Sequence, residues 1–138
     1  MVTDKRIITQ FNDFTLISYF EGVTPSPMDD RNKDCHNITV KNNFTKNQAT
    51  ISTWRPEIKT DDELLYAFFC ICQGAMFGAM DPLEFSTFMN MPVNSPEAEK
   101  YFVHFRVIAA KLAGIIVNRD ELAKTIRLLS QKLGIKKT

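Results

Sequence analysis

Residues 60–88 read TDDELLYAFFCICQGAMFGAMDPLEFSTF and predict an apolar helix, a glycine-broken turn and a second, shorter helix. Thr60 and Glu63 form a capping box, in which the threonine hydroxyl accepts the Glu63 N–H and the glutamate reaches back to the Thr60 amide. Apolar side chains cover more than half of the circumference of the first helix, which predicts that this helix lies in the centre of the fold and exposes little surface. Gly74 and Gly78 have the spacing of a helix end or a close helix crossing.

The same kind of helix start recurs three times further along the chain. Asp81 and Ser95 each precede a proline, which is favoured at the first helical position, and Asn118 precedes Arg119 and two acidic residues. Apolar residues then recur at spacings of three and four. Together with the first helix, these signals predict helices over about 61–77, 82–89, 96–117 and 119–133.

The first 54 residues favour β-structure, because apolar and polar residues alternate there. We predict about three strands, which are Arg6–Phe20, Cys35–Lys41 and Asn47–Trp54. Two prolines and five charged residues in Gly22–Asp34 predict a loop between the first two strands. Alternation in the second and third strands predicts that at least one face of the sheet is strongly polar.

Strands followed by helices predict an α+β fold, with a small antiparallel sheet of about three strands packed on about four helices. The 138 residues, 44% of them hydrophobic, match the length and composition of a single domain spanning residues 1–138. The net charge is +1, so the chain has no strong overall electrostatic field that would attract nucleic acid or a membrane surface. No signal peptide or apolar membrane span is recognisable, so we expect a cytoplasmic protein whose three cysteines are reduced.

Residues with catalytic or metal-binding chemistry are few. Cys35 and His36 are neighbours on a strand and point to opposite faces, while Cys70 and Cys72 lie about 200° apart on a helix. The acidic residues cluster in first helical turns, where capping explains them. We therefore predict no catalytic residue, no metal site and no cofactor, and expect His104 to be a packing or surface residue.

Two sets of residues are candidates for binding. Aromatic residues on the strands and the charged loop predict a protein-binding surface formed by Tyr19, Asp29, Asp30, Arg31 and Trp54. The last helix and the tail carry the basic residues Arg119, Lys124, Arg127, Lys132, Lys136 and Lys137. These could contact nucleic-acid phosphates, although Asp120 and Glu121 dilute them and a solvated helix face has the same composition.

Three short motifs between Thr60 and Gly114 carry a family resemblance: Leu64-Leu65-Tyr66, then Leu83-Glu84-Phe85 with Phe88, then Ser95 with Glu97, Ala98 and Tyr101. The sequence there resembles a loose group of small proteins encoded by temperate phages, prophages and other mobile elements. Asn90-Met91-Pro92 replaces the aromatic-glycine-tyrosine turn of that group. The resemblance implies a mobile-element origin and no particular mechanism.

The leading hypothesis is a non-enzymatic accessory protein of a phage or mobile element that binds a host protein, with a defence component such as a CRISPR effector as one such partner. The alternative is a small nucleic-acid-binding module that uses the basic last helix. An enzyme would need Cys35, His36 and an acid to converge in a cleft. A homodimer through the first strand or the apolar last helix is compatible with each hypothesis.

Overall fold

The computed structural model describes residues 6–26, 31–54, 58–90, 92, 95–116 and 118–135. In this part of the chain, four strands precede four helices, which confirms the α+β class. The strands are β1 (Arg6–Phe11), β2 (Phe14–Pro25), β3 (Asn32–Asn42) and β4 (Gln48–Thr53). The helices are α1 (Asp61–Gly78), α2 (Pro82–Met89), α3 (Pro96–Leu112) and α4 (Arg119–Leu133).

The strands form one antiparallel sheet in the order β1-β2-β3-β4, so each strand pairs with its neighbour in sequence. Leu16 pairs with Val40, and Ile38 pairs with Ile51. All four of these side chains are buried, and they lie on the face that packs against the helices. The side chains of the opposite face alternate with them and are mainly polar, as predicted.

The predicted single strand Arg6–Phe20 is wrong, because the chain reverses within it. Phe11 pairs with Phe14, and the two residues between them form a tight turn in which Asn12 has a φ of 54°. Asparagine tolerates this left-handed conformation better than most residues. The sheet therefore has four strands where the sequence pattern predicted about three.

The predicted loop Gly22–Asp34 is also largely wrong. Strand β2 continues to Pro25 and β3 already begins at Asn32, so most of the segment forms the arms of a long hairpin. A β-bulge after Phe20 includes Gly22, whose φ of 128° is a conformation that glycine adopts most easily. Residues 27–30 of this segment, including Asp29 and Asp30, lie outside the described residues.

Helix α1 forms the centre of the core, as its apolar sequence predicted. Half of its 18 residues are buried, including Leu64, Phe68 and Cys72, which are fully enclosed. The ring of Phe68 meets Phe14 of β2 edge to face, with 5.8 Å between the ring centroids. The helix packs against β1, α3 and α4, so it joins the sheet to the rest of the helical half.

The predicted N-caps are confirmed for all four helices. Thr60, Asp81, Ser95 and Asn118 each accept a backbone N–H from the residue three positions later, at 2.8 to 3.2 Å. The return bond of the capping box differs by one residue, because the Glu63 carboxylate accepts the Lys59 N–H at 3.0 Å. Each cap satisfies a backbone donor that the helix itself leaves without a partner.

Helix α3 ends at Leu112, five residues before the predicted end at position 117. The backbone N–H groups of Ile115 and Ile116 both donate to the Leu112 carbonyl, which closes the helix in a turn through Gly114.

The predicted end for α2 is confirmed at Asn90, whose φ of 54° makes a left-handed cap. The side chain of Phe88 in α2 lies outside the described residues.

Helices α1 and α3 cross at the predicted glycine pair. A Cβ atom on Gly78 would lie 2.1 Å from the Phe105 carbonyl oxygen, and one on Gly74 would lie 3.0 Å from the Phe105 ring. The backbones therefore approach each other at Gly78 more closely than any side chain allows. An aromatic cluster of Phe77, Phe85 and Phe105 surrounds this crossing, with ring centroids 5.4 to 6.4 Å apart.

We predict that Gly78→Ala destabilises the protein by at least about 2 kcal/mol, because the added methyl group collides with backbone atoms that can move only with the whole helix. Urea unfolding followed by circular dichroism measures the change in the free energy of unfolding.

The control is Gly114→Ala, since a Cβ atom at Gly114 meets nothing within 4 Å. This substitution should change the free energy of unfolding by less than about 1 kcal/mol. Equal stability for the two variants would contradict the close crossing.

Candidate functional site

A groove of about 660 Å³ lies between strand β4 and helix α3. Its wall on the β4 side consists of Ile51, Ser52 and Trp54. The wall on the α3 side is formed by residues from one side of that helix: Pro96, Glu99, Lys100, Val103, His104, Val107, Ile108 and Lys111. Two other cavities, of about 320 Å³ and 150 Å³, are smaller, and the groove lies at the margin of the sheet.

Two hydrogen bonds show that β4 and α3 run side by side in opposite directions. The Asn47 side chain donates to the Gly114 carbonyl at 3.1 Å, and the Lys111 ammonium donates to the Thr50 carbonyl at 3.3 Å. Residues further along β4 therefore lie beside residues nearer to the start of α3. The end of α3 is fixed near Asn47, and the groove opens towards Trp54 and Pro96.

Strand β4 is an edge of the described sheet, since it pairs with β3 on one side only. An edge strand presents backbone N–H and carbonyl groups that can pair with another chain. Gln48 and Thr50 are exposed, and the bond from Lys111 shows that the Thr50 carbonyl can be reached from the groove. One side of the groove thus offers backbone hydrogen-bonding groups.

The other side of the groove is an exposed apolar surface. Val103 and Val107 lie one helical turn apart and are 55% and 51% exposed. Trp54 closes the far end, and its indole N–H donates to the Thr24 hydroxyl at 2.7 Å. This bond fixes the ring, so Trp54 presents a rigid aromatic surface to the groove.

A smaller cavity of about 320 Å³ continues inward from the groove. Trp54 and His104 line both cavities, and Cys70 of α1 lies at the inner one. Burial lowers the pKa of His104 from its usual value, because the charged imidazolium loses solvation there. The imidazole is therefore neutral at physiological pH and adds an uncharged wall between the two cavities.

Of the three predicted partner-binding residues that the structure describes, Trp54 lines this groove. Tyr19 lies on the outer face of β2, where its hydroxyl accepts a bond from Asn37 at 3.4 Å and its ring is 6.0 Å from the Arg6 guanidinium. Arg31 is exposed at the start of β3, and its carbonyl accepts the Ser26 N–H. Asp29 and Asp30 lie outside the described residues, so the predicted surface as a whole stays a prediction.

The sequence reasoning missed the α3 side of the groove. It considered only the stripe of α3 that packs into the core, although Val103 and Val107 form a second apolar stripe on the same helix. Two apolar stripes on one helix were the signal that could have indicated an exposed binding face.

The outer face of the sheet is covered by side chains that hydrogen-bond to one another. The Ser52 hydroxyl donates to the side-chain amide oxygen of Asn37 at 2.7 Å, the Asn37 side-chain N–H donates to Glu21 at 2.8 Å, and the hydroxyls of Thr39 and Thr50 lie 2.9 Å apart. Such a face is suited to contact with water. Ile8 is an apolar residue exposed on this face, at 59% exposure.

The cysteine and histidine residues lie on three elements, β3, α1 and α3. Cys35 and His36 are neighbours on β3, and the His36 ring packs 5.4 Å from that of Phe20. Burial, with a smaller contribution from Cys70, raises the pKa of Cys72 far above its usual range, so Cys72 stays a thiol. In the described ranges, no three His, Cys, Asp or Glu side chains are grouped to hold a metal ion.

The basic residues of α4 are exposed, but they do not share one face. At 100° per residue, Arg119, Arg127, Lys124 and Lys132 lie at roughly 0°, 80°, 140° and 220° around the helix. Asp120 falls between Arg127 and Lys124. Lys136 and Lys137 lie outside the described residues.

The apolar stripe of α4 packs into the core of its own chain, with Leu122 and Leu129 buried. A homodimer remains a prediction. Of the two surfaces predicted for it, the outer face of β1 and β2, which carries the exposed Ile8, lies outside the core.

We predict that NMR titration gives His104 a pKa below 6.5. Because the unfolded chain binds this proton at a higher pH than the native protein does, protonation favours unfolding. The contribution of His104 to stability is therefore complete above about pH 6.5 and declines as the pH falls towards the native pKa. His104→Gln should lose less stability between pH 7.5 and 5.5 than the original protein, and an equal loss would contradict burial of the ring.

We also predict that α4 supports no specific retention of duplex DNA. Binding to the phosphates of a duplex requires several basic side chains on one surface of the protein. The basic residues of α4 are spread around the helix and do not form such a surface. Gel retardation at low salt should be the same for the original chain and for the triple variant Lys124→Glu, Arg127→Glu, Lys132→Glu. Retardation that this variant abolishes would favour the nucleic-acid hypothesis instead.

Searches with the whole chain against protein-family models, curated proteins and solved structures give no match. Among the described residues, no helix has both the length and the apolar character that a membrane span requires.

Proposed function

We propose that this chain is a non-enzymatic binding protein that holds a segment of a partner protein in the groove between β4 and α3. The observation that carries the proposal is the pairing of an open strand edge with the exposed apolar stripe of Val103 and Val107. Backbone groups and apolar side chains are the two elements that bind an extended segment of another protein.

The two sides of the groove contribute differently to binding. The edge of β4 would supply hydrogen bonds that any peptide backbone can make, which gives affinity without much selectivity. The valines and the fixed ring of Trp54 would supply apolar area, and a rigid aromatic residue at an interface is a frequent centre of binding energy. A volume of about 660 Å³ also suits a small molecule, but an open strand edge serves a peptide better.

The resemblance of residues 60–114 to phage and mobile-element proteins supports a search for the partner in a bacterial host. A binding protein without catalytic groups acts by occupying a surface that its partner needs. We propose a host defence complex, such as a CRISPR effector, as the first class of partner to test, with inhibition of that complex as the result of binding.

The experiment is capture of partners from a bacterial lysate, followed by binding measurements with the purified partner. We expect the double variant Val103→Glu, Val107→Glu to raise the Kd at least ten-fold, because two carboxylates replace the apolar wall. Glutamate forms helices at least as well as valine, so α3 should remain folded, which circular dichroism checks.

The matched control is Leu83→Glu, since Leu83 is a helical residue that is 66% exposed and does not line the groove. This variant should bind the partner with unchanged Kd. If the double variant and the control bind equally well, the groove is not the binding site. Turnover of a substrate by the chain alone would contradict the non-enzymatic proposal.

A further inference from the structure

Two lysines flank the exposed valines on α3. Lys100, Val103, Val107 and Lys111 follow one another at spacings of three, four and four residues, which places them within about 80° of the helix circumference. Glu99 lies about 40° further round from Val103, at the margin of this arc. The apolar centre of the groove therefore has a lysine at each end, with Glu99 beside Lys100.

Lys111 also covers part of the strand edge. Its ammonium group donates to the Thr50 carbonyl at 3.3 Å, in an exposed position. Lysine at an edge strand is a common protection against unwanted pairing, and a single exposed bond of this length is easily exchanged for a carboxylate. Lys111 can therefore close the edge until an acidic group draws it away.

We propose that the occupant of the groove is an extended acidic and apolar segment of a different protein, which adds to β4 as a fifth strand. A carboxylate of this segment takes the Lys111 ammonium from Thr50 and frees the edge, and a second carboxylate meets Lys100. This inference rests on the proposed function and specifies the chemistry of the partner segment.

The dimensions of the groove set the spacing within that segment. Eleven residues of helix place Lys100 and Lys111 about 16 Å apart. An extended chain covers about 3.3 Å per residue, and residues on one face are separated by an even number. In a partner segment with acidic residues at positions 1 and 7, the two carboxylates can face the two lysines, and apolar residues at positions 3 and 5 can face the two valines. The remaining difference in spacing is within the reach of a lysine side chain.

A second copy of this chain fits the groove less well. In a two-fold pair, the stripes could meet either antiparallel or parallel. The antiparallel arrangement sets Lys100 against Lys111 of the second copy, and the parallel arrangement sets each lysine against its own equivalent. Both bring like charges together, so the lysines select against self-pairing and in favour of an acidic partner.

The test uses fluorescein-labelled, end-blocked peptides and fluorescence anisotropy. The acidic probe is Asp-Thr-Val-Thr-Val-Thr-Glu, and the matched control has lysine at both ends. We expect the original chain to bind the acidic probe at least ten-fold more tightly than the basic one, with an advantage that shrinks at high salt. Proline in place of the central threonine should abolish binding, because a strand pairing needs that N–H.

The charge-swapped variant Lys100→Glu, Lys111→Glu supplies the decisive comparison, and it should prefer the basic probe by a similar factor. Equal binding of the two probes, an unchanged preference in this variant, or no saturable binding would overturn the inference. A partner that is captured through the groove while the acidic probe fails would leave the proposed function standing. Loss of groove-dependent capture would reject the proposed function itself.

Discussion

The backbone contact between Gly78 and Phe105 sets the distance between α1 and α3. Helix α1 occupies the centre of the core, and α3 can lie directly on it because Gly74 and Gly78 present no side chain at the crossing. The side of α3 that carries Phe105 and Ile108 is used in this contact. The valine stripe lies on another side of the same helix and is left exposed beside the sheet.

The sheet holds the far end of α3 and thereby determines where the groove lies. Asn42 and Asn47, at the turn between β3 and β4, donate side-chain N–H groups to the carbonyls of Ile115 and Gly114. Carbonyl groups beyond a helix end lack partners within the helix, and these two asparagines supply them. The groove is therefore fixed at one end by the asparagines and at the crossing by the glycines, so its shape is largely preformed.

Local signals in the sequence predicted the helical half well. An N-cap and the helix after it involve residues a few positions apart, which is why Thr60, Asp81, Ser95 and Asn118 were all assigned correctly. The boundaries of the first two predicted strands were poor, because β-pairing tolerates polar residues, whereas β4 lies within one residue of its prediction at each end. The two-residue turn at Asn12 and Asp13 was hidden within a continuous apolar pattern, and Gly22 continued a strand through a bulge.

The groove could not be predicted to the same extent. Trp54 was identified as a binding residue from its type, but its neighbours on α3 lie about 50 positions further along the chain. The packing of α3 on α1 and the asparagine bonds to the end of α3 bring them together. The two apolar stripes on α3 were visible in the sequence, whereas the identity of the stripe that stays exposed depends on the glycine crossing.

The order of the elements along the chain has a consequence for synthesis in the cell. The whole sheet leaves the ribosome before α1, and its strands can pair in sequence because each one neighbours the next. Leu16, Ile38 and Val40 then form an apolar sheet surface that no helix yet covers. The nascent chain passes through a stage in which this surface is open to chaperones or to aggregation, and emergence of α1 ends it.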